Sequence, residues 1–132
     1  MNIEYLNLLP EVENKYNVEL QDGEKVVFVA NLSTFGTEKD GVLGLSSDFT
    51  LTNKRIIVDN HVGVWTINIA EDIASCTKVQ GGWFIFKYVY FSVNLNKEVV
   101  FDHGRQKLSG FHFYFEKEET IQFEEIMNNL LI

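Results

Sequence analysis

The sequence predicts a mainly β domain closed by one C-terminal α-helix. Two observations carry this. From Val26 to about Phe115, β-branched and aromatic residues alternate with polar ones, and turn signals recur. After Phe115 the period changes: Phe123, Ile126, Met127 and Leu130 fall at helical spacing, behind Glu116, Glu118 and Glu119, anions suited to a helix start. The expected plan is a meander of about seven antiparallel strands. A sheet so rich in aromatic residues curls into a barrel or packs as two sheets, with the helix over the open end.

Each element has its own local reason. Ile3, Leu6, Leu9, Val12 and Tyr16 lie near helical spacing, and Pro10 divides that stretch, serving as the first residue of a short second helix. Residues 1–19 are therefore expected to be a helical N-terminal extension and residues 20–132 the β domain. A turn at Asn53-Lys54 sets Leu51 opposite Ile56 and Phe49 opposite Val58. A second turn at Asn60-His61 sets Ile56 opposite Trp65, Val58 opposite Gly63 and Ile57 opposite Val64. One inward face then runs Phe49, Leu51, Ile56, Val58, Trp65, Ile67, Ile69. Gly81-Gly82 is the next tight-turn signal, and Trp83 to Phe86 can continue a strand or form a loop. Val89, Phe91, Val93 and Leu95 alternate with Tyr88, Tyr90, Ser92 and Asn94. A short loop at Asn96-Lys97-Glu98 leads to Val99 and Phe101, and a polar loop at 104–109 leads to Phe111, Phe113 and Phe115.

Composition bounds the function. With 11 basic and 19 acidic residues the net charge is −8, which argues against broad binding of nucleic acid or of anionic membranes, since both rest on positive charge. Divided at the midpoint, acid and base are spread evenly, with no charged tail or biased linker. Cys76 is the sole cysteine, so neither an internal disulfide nor a cysteine-based zinc site can form; the expected role is a small buried hydrophobe. No run is long and apolar enough to be a transmembrane segment, and Met1 to Leu6 lack the basic and apolar regions of a signal peptide, so a cytoplasmic location is expected.

Several segments resemble the pleckstrin-homology-like superfold, and within it the GRAM and bacterial PH-like domains. Asp22-Gly23-Glu24-Lys25-Val26 resembles the opening before the first strand. Gly41-Val42-Leu43-Gly44-Leu45 and Leu51-Thr52-Asn53-Lys54-Arg55-Ile56-Ile57-Val58 resemble the hairpin that follows, and Ile69 to Cys76 the segment after it. The resemblance implies a partly open seven-stranded barrel capped by a helix. It also implies a non-catalytic module that binds lipid headgroups or proteins. Members of the superfold hold phosphoinositides through a basic loop between the first two strands. Here that loop, about Ser33 to Ser47, carries Lys39 as its only base, beside Glu38 and Asp40. A multiply charged headgroup wants several cations.

No enzyme motif is present. Gly36 and Gly41 have phosphate-loop spacing, but Val42-Leu43 stand where Lys and Ser/Thr are needed. Asp102, His103 and His112 are the nearest approach to a metal or catalytic cluster, yet the expected register sets His112 opposite Val100, away from His103. Glu71-Asp72 are read as turn acids. No catalytic residue, metal ligand or cofactor is assigned.

The outer face is more informative. Ile57, Val64, Tyr88, Tyr90 and Tyr114 occupy outward positions, with Trp83, Phe84 and Phe86 nearby. Exposed apolar patches mark interaction surfaces, and Tyr and Trp are residues that interfaces favour. The expected function is a binding or adaptor module that works through protein contacts at Ile57, Val64, Trp83, Tyr88, Tyr90 and Tyr114, including contacts with a second copy of itself. The alternative is a peripheral membrane adaptor in which Lys39, Lys54 and Arg55 meet headgroups while Trp83 or Phe84 inserts. A small-ligand or metal-binding barrel is the least favoured class.

Overall fold

The computed structural model describes residues 1–37, 41–100 and 107–131. A short helix α1 (Glu4–Leu8) precedes β1 (Val26–Thr37), β2 (Gly41–Thr52), β3 (Arg55–Asn60) and β4 (Gly63–Asn68). One helical turn α2 (Ile69–Asp72) leads to β5 (Ile73–Trp83), β6 (Phe86–Val100), β7 (Lys107–Phe115) and the closing helix α3 (Lys117–Leu130). The seven strands form one antiparallel sheet in the order β4-β3-β2-β1-β7-β6-β5. The sheet curls into a partly open barrel, with β4 and β5 as its free edges.

Alternation explains the curl and the core. Phe49, Leu51, Ile56, Val58, Trp65, Ile67 and Ile69 are all buried on the inner face, as are Phe91, Val93, Leu95, Phe111, Phe113 and Phe115. The interior is mainly aromatic: Phe35 stacks on Phe111 at 5.1 Å and meets Trp65 edge-on at 5.0 Å. Helix α3 closes the barrel with the stripe Phe123, Ile126, Met127 and Leu130, and the Phe123 ring lies 4.7 Å from Phe91 and 4.8 Å from Phe115. Helix α1 completes the closure: Leu6 is fully buried in the same core, and the Asn2 amide donates to the Leu130 carbonyl at 2.6 Å.

Several local expectations are corrected, each for a visible reason. The helix expected from Pro10 is absent. Leu9 is extended, as the residue before proline prefers, and the chain beyond is tied to β1 by a hydrogen bond from the Val12 amide to the Val26 carbonyl at 2.9 Å. The β3–β4 turn is His61-Val62, not Asn60-His61. The Asn60 side-chain oxygen accepts from the Val62 and Gly63 amides at 2.8 and 3.3 Å, so Asn60 opens the turn. Val58 therefore opposes Trp65, Ile56 opposes Ile67, Ile57 opposes Thr66, and Val64 opposes Asp59.

Gly81-Gly82 does not turn either. β5 runs through both residues to Trp83, which pairs with Phe86 across a turn at Phe84-Ile85. Gly81 matters instead as a bare spot: a side chain there would collide with the Tyr88 ring that lies over it. The loop expected at Asn96-Lys97-Glu98 is a wide irregularity inside β6, between Asn94 and Val99 in its pairing with β7. It is pinned by Asn96, whose side-chain amide donates to the Glu71 carbonyl at 2.8 Å. With β7 starting at Lys107 and this irregularity in β6, His112 stands opposite Ser92 and Gly36 rather than Val100. Of the polar loop expected at 104–109, Lys107 to Ser109 already belong to β7; Phe101 and residues 104–106 lie outside the described residues.

Candidate functional surface

The inward turn of Phe91, Phe113 and Phe115 forces Tyr90, His112 and Tyr114 outward, since neighbours in a strand point to opposite faces. On the outer surface of β6 and β7 the Tyr90 ring lies 4.8 Å from both His112 and Tyr114, and 6.0 Å from Tyr88, with which it stacks. Tyr88 is half exposed, over the gap left by Gly81. The Tyr114 hydroxyl is harder to ionise than usual, first because it is partly buried and then because Tyr90 and Tyr88 are close.

The face continues onto β1 and β2. Thr34 pairs with both Tyr114 and Leu45, and Leu45 and Val42 are strongly exposed. Between them lies a shallow cavity of about 390 Å³, lined by Thr34, Gly36, Thr37, Gly41, Val42, His112 and Tyr114. Gly36 keeps it open and the strands close, because a side chain there would strike the Gly41 carbonyl. Among the described residues named here none is Asp, Glu, Lys or Arg, and the surface is aromatic on one side and aliphatic on the other.

The other candidate residues lie apart from it. Ile57 is buried, 5% exposed, while Val64 is exposed on β4 opposite Asp59. Trp83 closes the β5–β6 hairpin. Lys54 lies in the β2–β3 turn and Arg55 opens β3, and both are engaged. Arg55 grips Glu24 through two nitrogens at 2.7 and 2.8 Å and donates to the Glu19 carbonyl at 2.8 Å. Lys54 donates to the Asp22 carbonyl at 2.7 Å. Lys39, Asp102 and His103 lie outside the described residues. Among the described residues no group of three or more His, Cys, Asp and Glu side chains could hold a metal ion. Cys76 is partly buried against the core, and burial pushes its thiol up to about 12, so it is a poor nucleophile.

Two features were not read from the residues. The first joins the two motifs at the base of the β1–β2 hairpin. Besides Arg55, Glu24 accepts from the Thr52 hydroxyl at 2.6 Å and the Gln21 amide at 2.9 Å. Burial works to raise its carboxyl, but these donors outweigh it and hold the group down at about 2. Asn53 bonds the Lys25 amide and the Gly23 carbonyl, and also reaches Asn7. The Glu24 and Arg55 charges were the available signal. The second is a stretch without acid: from residue 73 to 97 there is no Asp or Glu, only Lys78, Lys87 and Lys97, and Lys78 finds its counter-ion on α3, pairing with Glu124 at 2.8 Å. A division at the midpoint hides this stretch.

No family model and no curated protein matches the chain. Among solved structures it is similar to one described as the Vps36 N-terminal PH domain, with a TM-score of 0.63 and 16% identity over 93% of this chain and 90% of that one. At that identity the likeness establishes the PH-like fold alone.

Proposed function

We propose that this PH-like domain is a non-catalytic binding module that acts through protein contacts at the outer aromatic surface of β6 and β7. The observation that carries the proposal is the cluster of Tyr88, Tyr90, His112 and Tyr114, held in ring contact yet left at the surface beside a shallow cavity. Rigid aromatic side chains lose little freedom on association and supply large contact area. The motif-like stretches around Glu24 and Arg55 favour a place near the GRAM and bacterial PH-like domains. In the same proposal the module is cytoplasmic, and a second copy of the chain is among its partners.

Sedimentation velocity over a range of concentrations, with photo-crosslinking from position 88 in cells, tests this. A self-associated species or a crosslinked partner protein is expected, and Tyr90→Ala should abolish it with an unchanged melting temperature. If neither species forms, or if either persists in Tyr90→Ala, the aromatic surface is not the contact site.

A further inference from the structure

We infer that β5 pairs edge to edge, antiparallel and across a two-fold axis, with β5 of a second copy of the chain, so that two sheets become one. The inference rests on the reading that a second copy is among the partners, and it names the strand that joins the two.

The edge comes first. β5 ends the sheet, and among the described residues β6 is its only strand neighbour. Trp83 and Phe86 close a two-residue turn and so exchange hydrogen bonds; by alternation Gly81, Val79 and Thr77 also bond to β6. Gly82, Gln80, Lys78 and Cys76 then turn their backbone N–H and C=O groups to the free side. Proteins blunt such edges with short strands, proline, bulges or charge. β4, the other edge, has six residues. β5 has eleven, no proline, and no irregularity from Ser75 to Trp83. Its one charge, Lys78, is drawn onto α3 by Glu124 at 2.8 Å. Thr77, Gln80 and Gly82 are exposed. Phe91 pairs with Phe113, which sets Val89 opposite Phe115, the last residue of β7; beyond it the β5–β6 ribbon has no third strand.

The occupant follows from the strand's own sequence. β5 contains no acid, and Glu124, which reaches it, is neutralised by Lys78. In a chain of net −8, two such edges meet without opposing acids. Pairing is self-complementary when centred on Val79, the midpoint of the regular run. Val79 then meets Val79 of the second copy, Lys78 meets Gln80, and Thr77 meets Gly81. Centred one residue earlier, the pairing would set Lys78 against Lys78. Val79 is the cross-strand neighbour of Tyr90, so the two tyrosine surfaces become continuous across the axis. The hairpin tip, Phe84 at 79% and Ile85 at 87% exposure, comes to the start of the second copy's β5, where Ala74 is exposed.

Sedimentation velocity of the full chain over a concentration series, with oxidative crosslinking, tests this. A dimer is expected. Val79→Cys in a Cys76→Ala background should form an interchain disulfide, because the two positions face each other. Thr77→Cys in the same background should not, since the two Thr77 positions stand about 13 Å apart, beyond disulfide reach. Gln80→Pro removes an edge donor from each copy. It should weaken the dimer roughly thirtyfold at unchanged melting temperature, the loss of two ladder hydrogen bonds. Should proline lower that temperature, Val79→Lys decides instead: like charges on the axis should dissolve the dimer. A monomer at every concentration, equal crosslinking from positions 77 and 79, or a disulfide from position 79 to a foreign protein alone would each overturn the inference. A dimer kept by Gln80→Pro but lost in Tyr90→Ala would overturn it and leave the tyrosine surface standing. A dimer lost in Gln80→Pro but kept in Tyr90→Ala would support it and contradict that surface.

Discussion

Glu24 shows how much one side chain can organise. It is buried, yet it is charged because Arg55, Thr52 and the Gln21 amide all donate to it. Its folded carboxyl titrates near 2, below the ordinary value of 4.5, so the folded state binds the proton less tightly than the unfolded chain does. The resulting stability is fully present above about pH 4.5 and is lost as pH falls toward 2. Glu24→Gln should lower the unfolding free energy at neutral pH by about 3 kcal/mol, by stranding Arg55. Chemical denaturation at a series of pH values should show the gap between parent and variant constant near neutrality and narrowing below about pH 4.5. A gap that does not change with pH would mean that Glu24 acts by packing alone. The same cluster makes Lys54 and Arg55, the expected headgroup contacts, ties between the start of β3 and the chain before β1 as well.

At the scale of elements, inner and outer faces and the Asn53-Lys54 turn were legible in the sequence, and the turns after β3 and β5 were not. The inward set on β2, β3 and β4 is correct although the β3–β4 turn is displaced, because pairing slipped by two residues and a strand repeats every two. The turn itself depended on a side chain: Asn60 caps His61-Val62 from outside instead of occupying its centre. At Gly81 the glycine signal was real but served Tyr88, an arrangement visible only once β6 is laid beside β5. Helix α3 was legible throughout, since its apolar stripe repeats without interruption. That helix is the lid of the core. Phe123 is fully buried among Phe28, Phe49, Phe91 and Phe115. Phe123→Ala should cost about 3–5 kcal/mol. Thermal unfolding should then fall by roughly 10–20 °C. A shift of a few degrees would mean that the barrel holds together without its lid.

For the whole molecule, the fold was within reach of the sequence because alternation, turn chemistry and one amphipathic helix all pointed the same way. The surface was harder to read. Grouping Ile57 with Val64 failed because Ile57, outward by alternation, is nonetheless buried and faces Thr66. The tyrosines came together because two neighbouring strands, β6 and β7, both turn phenylalanine inward. What emerges is a closed aromatic core with an aromatic surface on the outer face of β6 and β7 and a β5–β6 ribbon that runs on past the end of β7.

The claim at the centre of this account is that the β6–β7 tyrosine surface is where a partner protein sits. Photo-crosslinking from position 88, followed by mapping of the crosslinked residues on this chain and on its partner, tests it most directly. The account predicts a defined partner species joined at position 88, lost in Tyr90→Ala/Tyr114→Ala at unchanged melting temperature. The same species recovered in full from that double variant would contradict it.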